Sequence, residues 1–180
     1  MLEICGRIFL GGFGMENVSM IAAIGKNGEL GKNNELIWRF REDLKTFKEY
    51  TMGHSMVMGY NTFFSLRGGK PLPGRKHIVL TQQHADTIEK NDQIIIVSSM
   101  EDLLDYIESK KEEIIVIGGA RMYANMLEYT KKIVLTEIDA FDQDADTFFP
   151  KISVDEWNRT LLTEQEENGI KYKRLLYVRK

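Results

Sequence analysis

The chain has 180 residues, 43% of them hydrophobic and 28% charged, a balance that suits one globular domain with a core of its own. With 24 basic and 27 acidic side chains the formal net charge is −3, and no basic stripe appears, which argues against nucleic acid as a partner. No apolar run reaches the ~20 residues that a membrane span needs, and the lone cysteine, Cys5, leaves no disulfide within the sequence and suits a reducing, cytoplasmic setting.

Met1–Gly14 loosely resembles a signal peptide, but Gly11, Gly12 and Gly14 break its apolar run. Residues 1–14 therefore read as an extension, disordered or not native to the domain, and residues 15–180 as the domain; Met15 and Met20 are both candidate starts. Val18–Ile24 reads as a buried strand, and Arg41–Tyr50 as a helix with Leu44, Phe47 and Lys48 at helical spacing. Ser55–Met58 is a short strand, after which Asn61 can cap a helix over Thr62–Leu66. A loop rich in Gly and Pro, from Gly68 to Gly74, leads to strands at His77–Leu80 and Gln93–Val97. Ser98 and Glu101 have capping-box spacing and open a helix through Lys110. Ile114–Ile117 is a strand, Gly118-Gly119 a tight turn, Ala120–Tyr129 a helix and Ile133–Ile138 a strand. Arg159–Leu162 and Tyr172–Val178 form a closing antiparallel pair through Asn168-Gly169. This alternation predicts an α/β domain: a mostly parallel twisted sheet, an antiparallel C-terminal edge, and helices on both faces. Ligands in such sheets bind at the carboxyl ends of the strands.

Three features could carry chemistry. The strand–Gly118-Gly119–helix turn lets backbone approach a ligand, and the helix N-terminus offers free N–H groups to a pyrophosphate; a plain tight turn is the equal alternative. Asp43 and Phe47 share a helix face next to Leu44, with Trp38 just upstream. A partly desolvated carboxylate there can bind a nitrogen heterocycle through paired hydrogen bonds and help deliver a proton, although spacing alone favours a first-turn Asp that complements the helix dipole. Arg75 follows the stiff Pro73-Gly74 turn and could hold a carboxylate bidentately. His54, His77 and His84 lack metal spacing. Asp139, Asp142, Asp144 and Asp146 alternate like part of a calcium loop but lack its Gly and distal Glu, so they read as an acidic surface loop and no metal is expected.

Taken together, Ile21-Ala22-Ala23, Gly31, Trp38, Glu42-Asp43-Leu44, Phe47, Met58-Gly59, Asn61-Thr62-Phe63, Pro71-Leu72-Pro73-Gly74-Arg75, Ile117-Gly118-Gly119-Ala120, Leu135-Thr136, Asp146-Thr147 and Phe149-Pro150 resemble the dihydrofolate reductases. The resemblance runs from about Val18 to the C-terminus and rests on the order and spacing of the motifs. It implies reduction of 7,8-dihydrofolate by hydride transfer from NADPH. Nothing in the sequence suggests an obligate interface, so a monomer is expected, with neither nucleic acid nor membrane as a partner. Asp43, hydrogen-bonded to Thr136, would grip the pterin, with Trp38 at the base of a mobile lid over Gly25–Phe40. Ile21, Ala23, Leu44, Phe47, Leu66, Leu72, Ile117 and Tyr123 would line the substrate pocket, and Arg75, with Lys48 nearby, would hold the glutamate tail. Gly118, Gly119, Ala120, Arg121 and Thr62 would cradle the pyrophosphate. Ala23, Leu30, Gly31, Gly59, Tyr60, Asn61, Leu80, Thr81, Ile117, Met122 and Tyr123 would complete the cofactor site.

The sequence departs from the family's pattern at Ile37 and Arg41, where prolines are usual, and at Tyr60, where many members carry an arginine that contacts the cofactor's phosphates. The first two should loosen the lid; the third weakens the preference for NADPH over NADH. A related reductase of riboflavin synthesis would not need the Asp43–Phe47–Thr136 set. A binding module that has lost turnover is the other alternative.

Overall fold

A computed structural model describes residues 15–180; the extension read over residues 1–14 lies outside the described residues. The strands are β1 (Met15–Ile24), β2 (Glu29–Lys32), β3 (Glu35–Leu36), β4 (Ser55–Gly59), β5 (Lys76–Leu80), β6 (Ile94–Val97), β7 (Ile114–Gly118), β8 (Thr130–Ile138), β9 (Thr147–Phe148), β10 (Trp157–Glu167) and β11 (Ile170–Arg179). The helices are α1 (Arg41–Thr51), α2 (Tyr60–Arg67), α3 (Met100–Glu108) and α4 (Ala120–Met126).

Eight strands form one sheet in the order β10-β11-β8-β1-β7-β4-β5-β6. From β8 to β6 every neighbouring pair is parallel, and β11 and β10 close one edge antiparallel. Successive strand residues point to opposite faces, and the apolar runs therefore feed two cores. Val57, Ile78, Ile114 and Val116 pack with Leu103 and Ile107 of α3 and Met122 and Met126 of α4. Met56, Met58, Val79, Ile115 and Ile117 pack on the other face with Phe63 of α2, and Phe47 and Tyr50 of α1 lie against them. Strands buried on both sides have no polar alternation, which is why they read as continuous apolar runs.

The chain passes from β1 through α1 to β4 and leaves a gap that β7 later fills. This reversal opens a crevice at the carboxyl ends of β1, β7 and β4. A register shift between Val57 and Met58 pairs Met58 with Gly118, so Gly59 comes level with the Gly118-Gly119 turn.

The β10–β11 hairpin turns on Asn168 and Gly169, both with positive φ (54° and 76°), as a tight two-residue connection requires. Its strands are longer than the sequence indicates, and β10 carries a bulge between Leu161 and Thr163. Two helix starts differ from expectation. Ser99, not Ser98, caps α3 by accepting from the Asp102 N–H, while the Ser98 hydroxyl bonds the Asp102 carboxylate. Gly59, not Asn61, is the N-cap of α2, so Asn61 lies in its first turn. A small sheet that no sequence period announces, β3-β2-β9, ties the lid segment to the loop before Phe149.

Candidate active site

The start of α1 has no side-chain cap. It is fixed instead by Phe40, whose ring stacks flat on Tyr172 of β11 at 4.8 Å and 4°. This contact brings the first turn of α1 over the edge of the sheet, where Ala23, Thr136 and Arg174 stand in register across β1, β8 and β11. The Asp43 carboxylate meets two of them. Thr136 Oγ1 donates to Asp43 Oδ1 at 2.6 Å, and Arg174 Nη2 donates to the same oxygen at 3.2 Å. Among the described residues Asp43 Oδ2 has no partner of its own. A carboxylate anchored through one oxygen presents the other in a fixed direction.

An apolar wall extends from this carboxylate. Phe47, Leu66 and Leu72 are each partly buried against the same core cluster on the α1–α2 face. Leu44, next to Asp43, is 44% exposed. At the far end lies Arg75, only 7% exposed. Its Nε donates to the Pro73 carbonyl and its Nη1 to Thr51 Oγ1. Thr51 in turn donates to the Phe47 carbonyl at the end of α1. No carboxylate of the described residues pairs with Arg75. Such a half-satisfied, rigidly held guanidinium suits an incoming carboxylate. Lys48 is exposed one residue beyond Phe47.

On the opposite side of the crevice two helix N-termini converge. Gly59 opens α2 and Gly119 opens α4, and neither has a side-chain cap. Their first-turn N–H groups, from Tyr60, Asn61 and Thr62 and from Ala120, Arg121 and Met122, thus remain available to an anion. The two ends touch: a Cβ on Gly119 would come within 3.2 Å of Thr62 Oγ1. Gly118 has φ of 126°, closed to side-chain-bearing residues, and packs on the Tyr123 ring; the Gly118–Gly119 peptide is cis. These glycines leave a cradle of bare backbone that fits a pyrophosphate. Met122 and Tyr123 are buried beneath it, and the Tyr123 hydroxyl is spent on the Ile21 carbonyl at 2.7 Å. Burial drives the Tyr123 phenol far above its ordinary range, so it acts as a fixed donor.

Thr81 is buried, and its hydroxyl accepts from the His84 N–H. Tyr60 lies against Phe64 and His84, and its hydroxyl meets Thr87 Oγ1 at 3.0 Å. Leu80 packs into the α3–α4 core.

The lid segment is held at several points. Trp38 covers Gly25, where an added Cβ would lie 2.5 Å from both the indole Cη2 and Glu29 Oε2. Burial alone would push the Glu29 carboxyl up, but its own backbone N–H, with the Asn27 N–H and side-chain amide, holds it below its usual value. Leu30 is buried, and Gly31 sits in β2 between β3 and β9. The acidic loop has a job here: Asp139 pairs with Lys26, Asp144 with Lys32, and Asp146 accepts from the Asn33 N–H.

A dihydrofolate reductase family model matches residues 17–179, nearly all of the described structure. The chain belongs to the dihydrofolate reductase family. Its members are oxidoreductases that reduce dihydrofolate to tetrahydrofolate with NADPH as hydride donor, and this chain is an enzyme of that kind. It is 37% identical to the dihydrofolate reductase of Bacillus subtilis (strain 168) over 166 residues, which cover 91% of this chain and 95% of that one. It is 33% identical to the Neisseria gonorrhoeae enzyme over 168 residues, 92% of this chain and 100% of that one. It is also 37% identical to the type 3 dihydrofolate reductase of Salmonella typhimurium over 136 residues, 74% and 78% of the two chains.

Of the residues singled out from sequence, this reductase sets Asp43 against Thr136 with Ala23 in register beside them, packs Phe47, Leu66 and Leu72 against one core cluster, ties Arg75 to the end of α1 and places Gly119 against Thr62. Three contributors escape a sequence reading: Arg174, Tyr172 and Glu29. For Arg174 the one signal is its position in phase with Tyr172, on the opposite face of the strand from Lys171 and Lys173. Among the described residues no helix is long and apolar enough to cross a membrane.

Proposed function

We propose that Asp43 is the group around which this enzyme reduces dihydrofolate, with Oδ2 receiving the pterin amino group and adjacent ring N–H. The observation that carries this is the Asp43 carboxylate, fixed by Thr136 through Oδ1 and left, among the described residues, with no partner at Oδ2. Phe47, Leu44, Leu66 and Leu72 hold the ring and the benzoyl arm by apolar contact, and Ile21, Ala23 and Ile117 contribute backbone at the strand ends. Arg75 binds the carboxylate of the tail, with Lys48 nearby. The bare backbone at Gly59, Gly118 and Gly119 and the N–H groups that follow fit the pyrophosphate of NADPH, with Thr62, Ala120 and Arg121 at its edge. Tyr60, Asn61, Leu80, Thr81 and Met122 frame the rest of that site, and Leu30 and Gly31 border the nicotinamide end.

NADPH, when bound, supplies the hydride that reduces the carbon of the pterin C=N bond. The protein's part is to orient and to deliver a proton. Asp43 anchors the ring and polarises it, and a water guided by Asp43 protonates the nitrogen of the same bond, so that C=N becomes CH–NH. Trp38 closes the base of the lid, and lid closure excludes bulk water. We assign the catalytic domain to residues 15–180, acting as a monomer in the cytoplasm; the single cysteine suits that reducing compartment.

The test is Asp43→Asn. The variant should fold and bind NADPH normally but turn over about 10²–10⁴ times more slowly at neutral pH. Near-normal turnover would overturn the assignment.

A further inference from the structure

Arg174 stands out as the buried group that the reaction itself does not call for. It is 6% exposed, and Asp43 is the carboxylate it meets among the described residues, Nη2 to Oδ1 at 3.2 Å. Its Nε is buried without an acceptor. The contact is held from three sides. Register places Arg174 opposite Thr136, the Phe40–Tyr172 stack fixes α1 on β11, and the Arg41 N–H bonds the Glu167 carboxylate. Glu42 and Glu167 lie close enough to Tyr172 to bear on its hydroxyl, but neither forms an ion pair with Arg174.

Charge makes the consequence. A lone carboxylate in this crevice would carry −1 and attract any cation that fits. A guanidinium stays protonated in proteins, so the Asp43–Arg174 pair is neutral before a ligand arrives. A neutral 2-amino-4-oxo edge, as on a pterin, can still donate two hydrogen bonds to Oδ2. A protonated 2,4-diamino heterocycle presents the same two donors with a positive charge, and meets a fixed cation across the same carboxylate. In a low-dielectric crevice that repulsion is weakly screened.

We propose that Arg174 is a specificity-determining residue of the pterin pocket: paired with Asp43, it sets the pocket for neutral 2-amino-4-oxo heterocycles and against protonated 2,4-diamino ones. The proposal rests on Asp43 being the group that receives the heterocycle.

The experiment compares Kd values of folate and a 2,4-diaminopyrimidine for the full chain with NADPH bound, in the unmodified enzyme and in Arg174→Gln and Arg174→Lys. Arg174→Gln should shift the ratio of the two Kd values by about tenfold or more in favour of the diaminopyrimidine, and Arg174→Lys should restore it to within about threefold of the unmodified enzyme. A ratio unchanged in Arg174→Gln, with both affinities falling together or neither moving, would reduce Arg174 to a packing role. The unmodified enzyme gives a second reading that needs no variant. Across diaminopyrimidines of graded ring basicity its affinity should stay flat, and affinity that climbs with basicity would overturn the proposal. Asp43→Asn separates this failure from failure of the site assignment: if Asp43 is not the receiving group, that change leaves both affinities as they were.

Discussion

Thr136 and Asp43 are joined by a 2.6 Å hydrogen bond from the Thr136 hydroxyl to Oδ1, across 93 residues of sequence. The bond links the first turn of α1 to the central sheet. It therefore sets both the direction of the carboxylate and the width of the crevice between helix and strand. Thr136→Val keeps the shape of the side chain and removes the donor. We expect kcat/KM for dihydrofolate to fall about tenfold or more, as for loss of a hydrogen bond to a charged group, with recovery in Thr136→Ser. Steady-state kinetics on the two variants checks this; an unchanged Thr136→Val would detach the bond from catalysis.

Arg75 is rigid before any ligand arrives, because Pro73, Thr51 and the end of α1 hold it. Arg75→Ala should raise the Kd for dihydrofolate by about tenfold or more, the scale of a charge-assisted pair, while NADPH affinity stays within about twofold. Titration of each ligand by protein fluorescence distinguishes the two. Equal weakening of both would remove the tail-binding role.

His77 gives the fold a pH dependence of its own. Its ring is fully buried, and Nε2 accepts the Leu72 N–H at 3.0 Å, so the folded protein holds it neutral. Burial, with Arg75 nearby, pushes its pKa below the ordinary 6.5. The unfolded chain thus binds the proton first. The contribution to stability is complete above pH 6.5 and is lost as pH falls from there toward the lowered folded-state value. Thermal midpoints measured from about pH 7.5 to about pH 5.5 should decline in the unmodified protein and decline less in His77→Gln. Parallel declines would assign the pH dependence to other groups.

The parts of this molecule that sequence shows are those set by local rules. Continuous apolar runs such as Ile114–Ile117 announce strands buried on both faces, and Asn168-Gly169 announces a hairpin because both positions need positive φ. Asp43 and the Gly118-Gly119 turn were visible as residue types, and the family resemblance gave them roles. The rest depends on distant partners. Arg174 reads as an ordinary strand charge until register sets it beside a carboxylate 131 residues away. The β2–β3–β9 sheet is built from strands of two to four residues, too short to leave a period. The acidic loop looked like plain surface because Lys26, Lys32 and Asn33, which it holds, lie more than 100 positions earlier. Ser98 and Ser99 are both competent caps, and only backbone geometry at Ser99 decides between them.

The most direct test of the central claim is the dihydrofolate-dependent loss of absorbance of the reduced cofactor, run in parallel with NADPH and NADH on the unmodified chain. The account predicts rapid oxidation that requires dihydrofolate and is faster with NADPH, even with Tyr60 engaged by Phe64, His84 and Thr87. Folded protein that oxidises neither cofactor in the presence of dihydrofolate would contradict it.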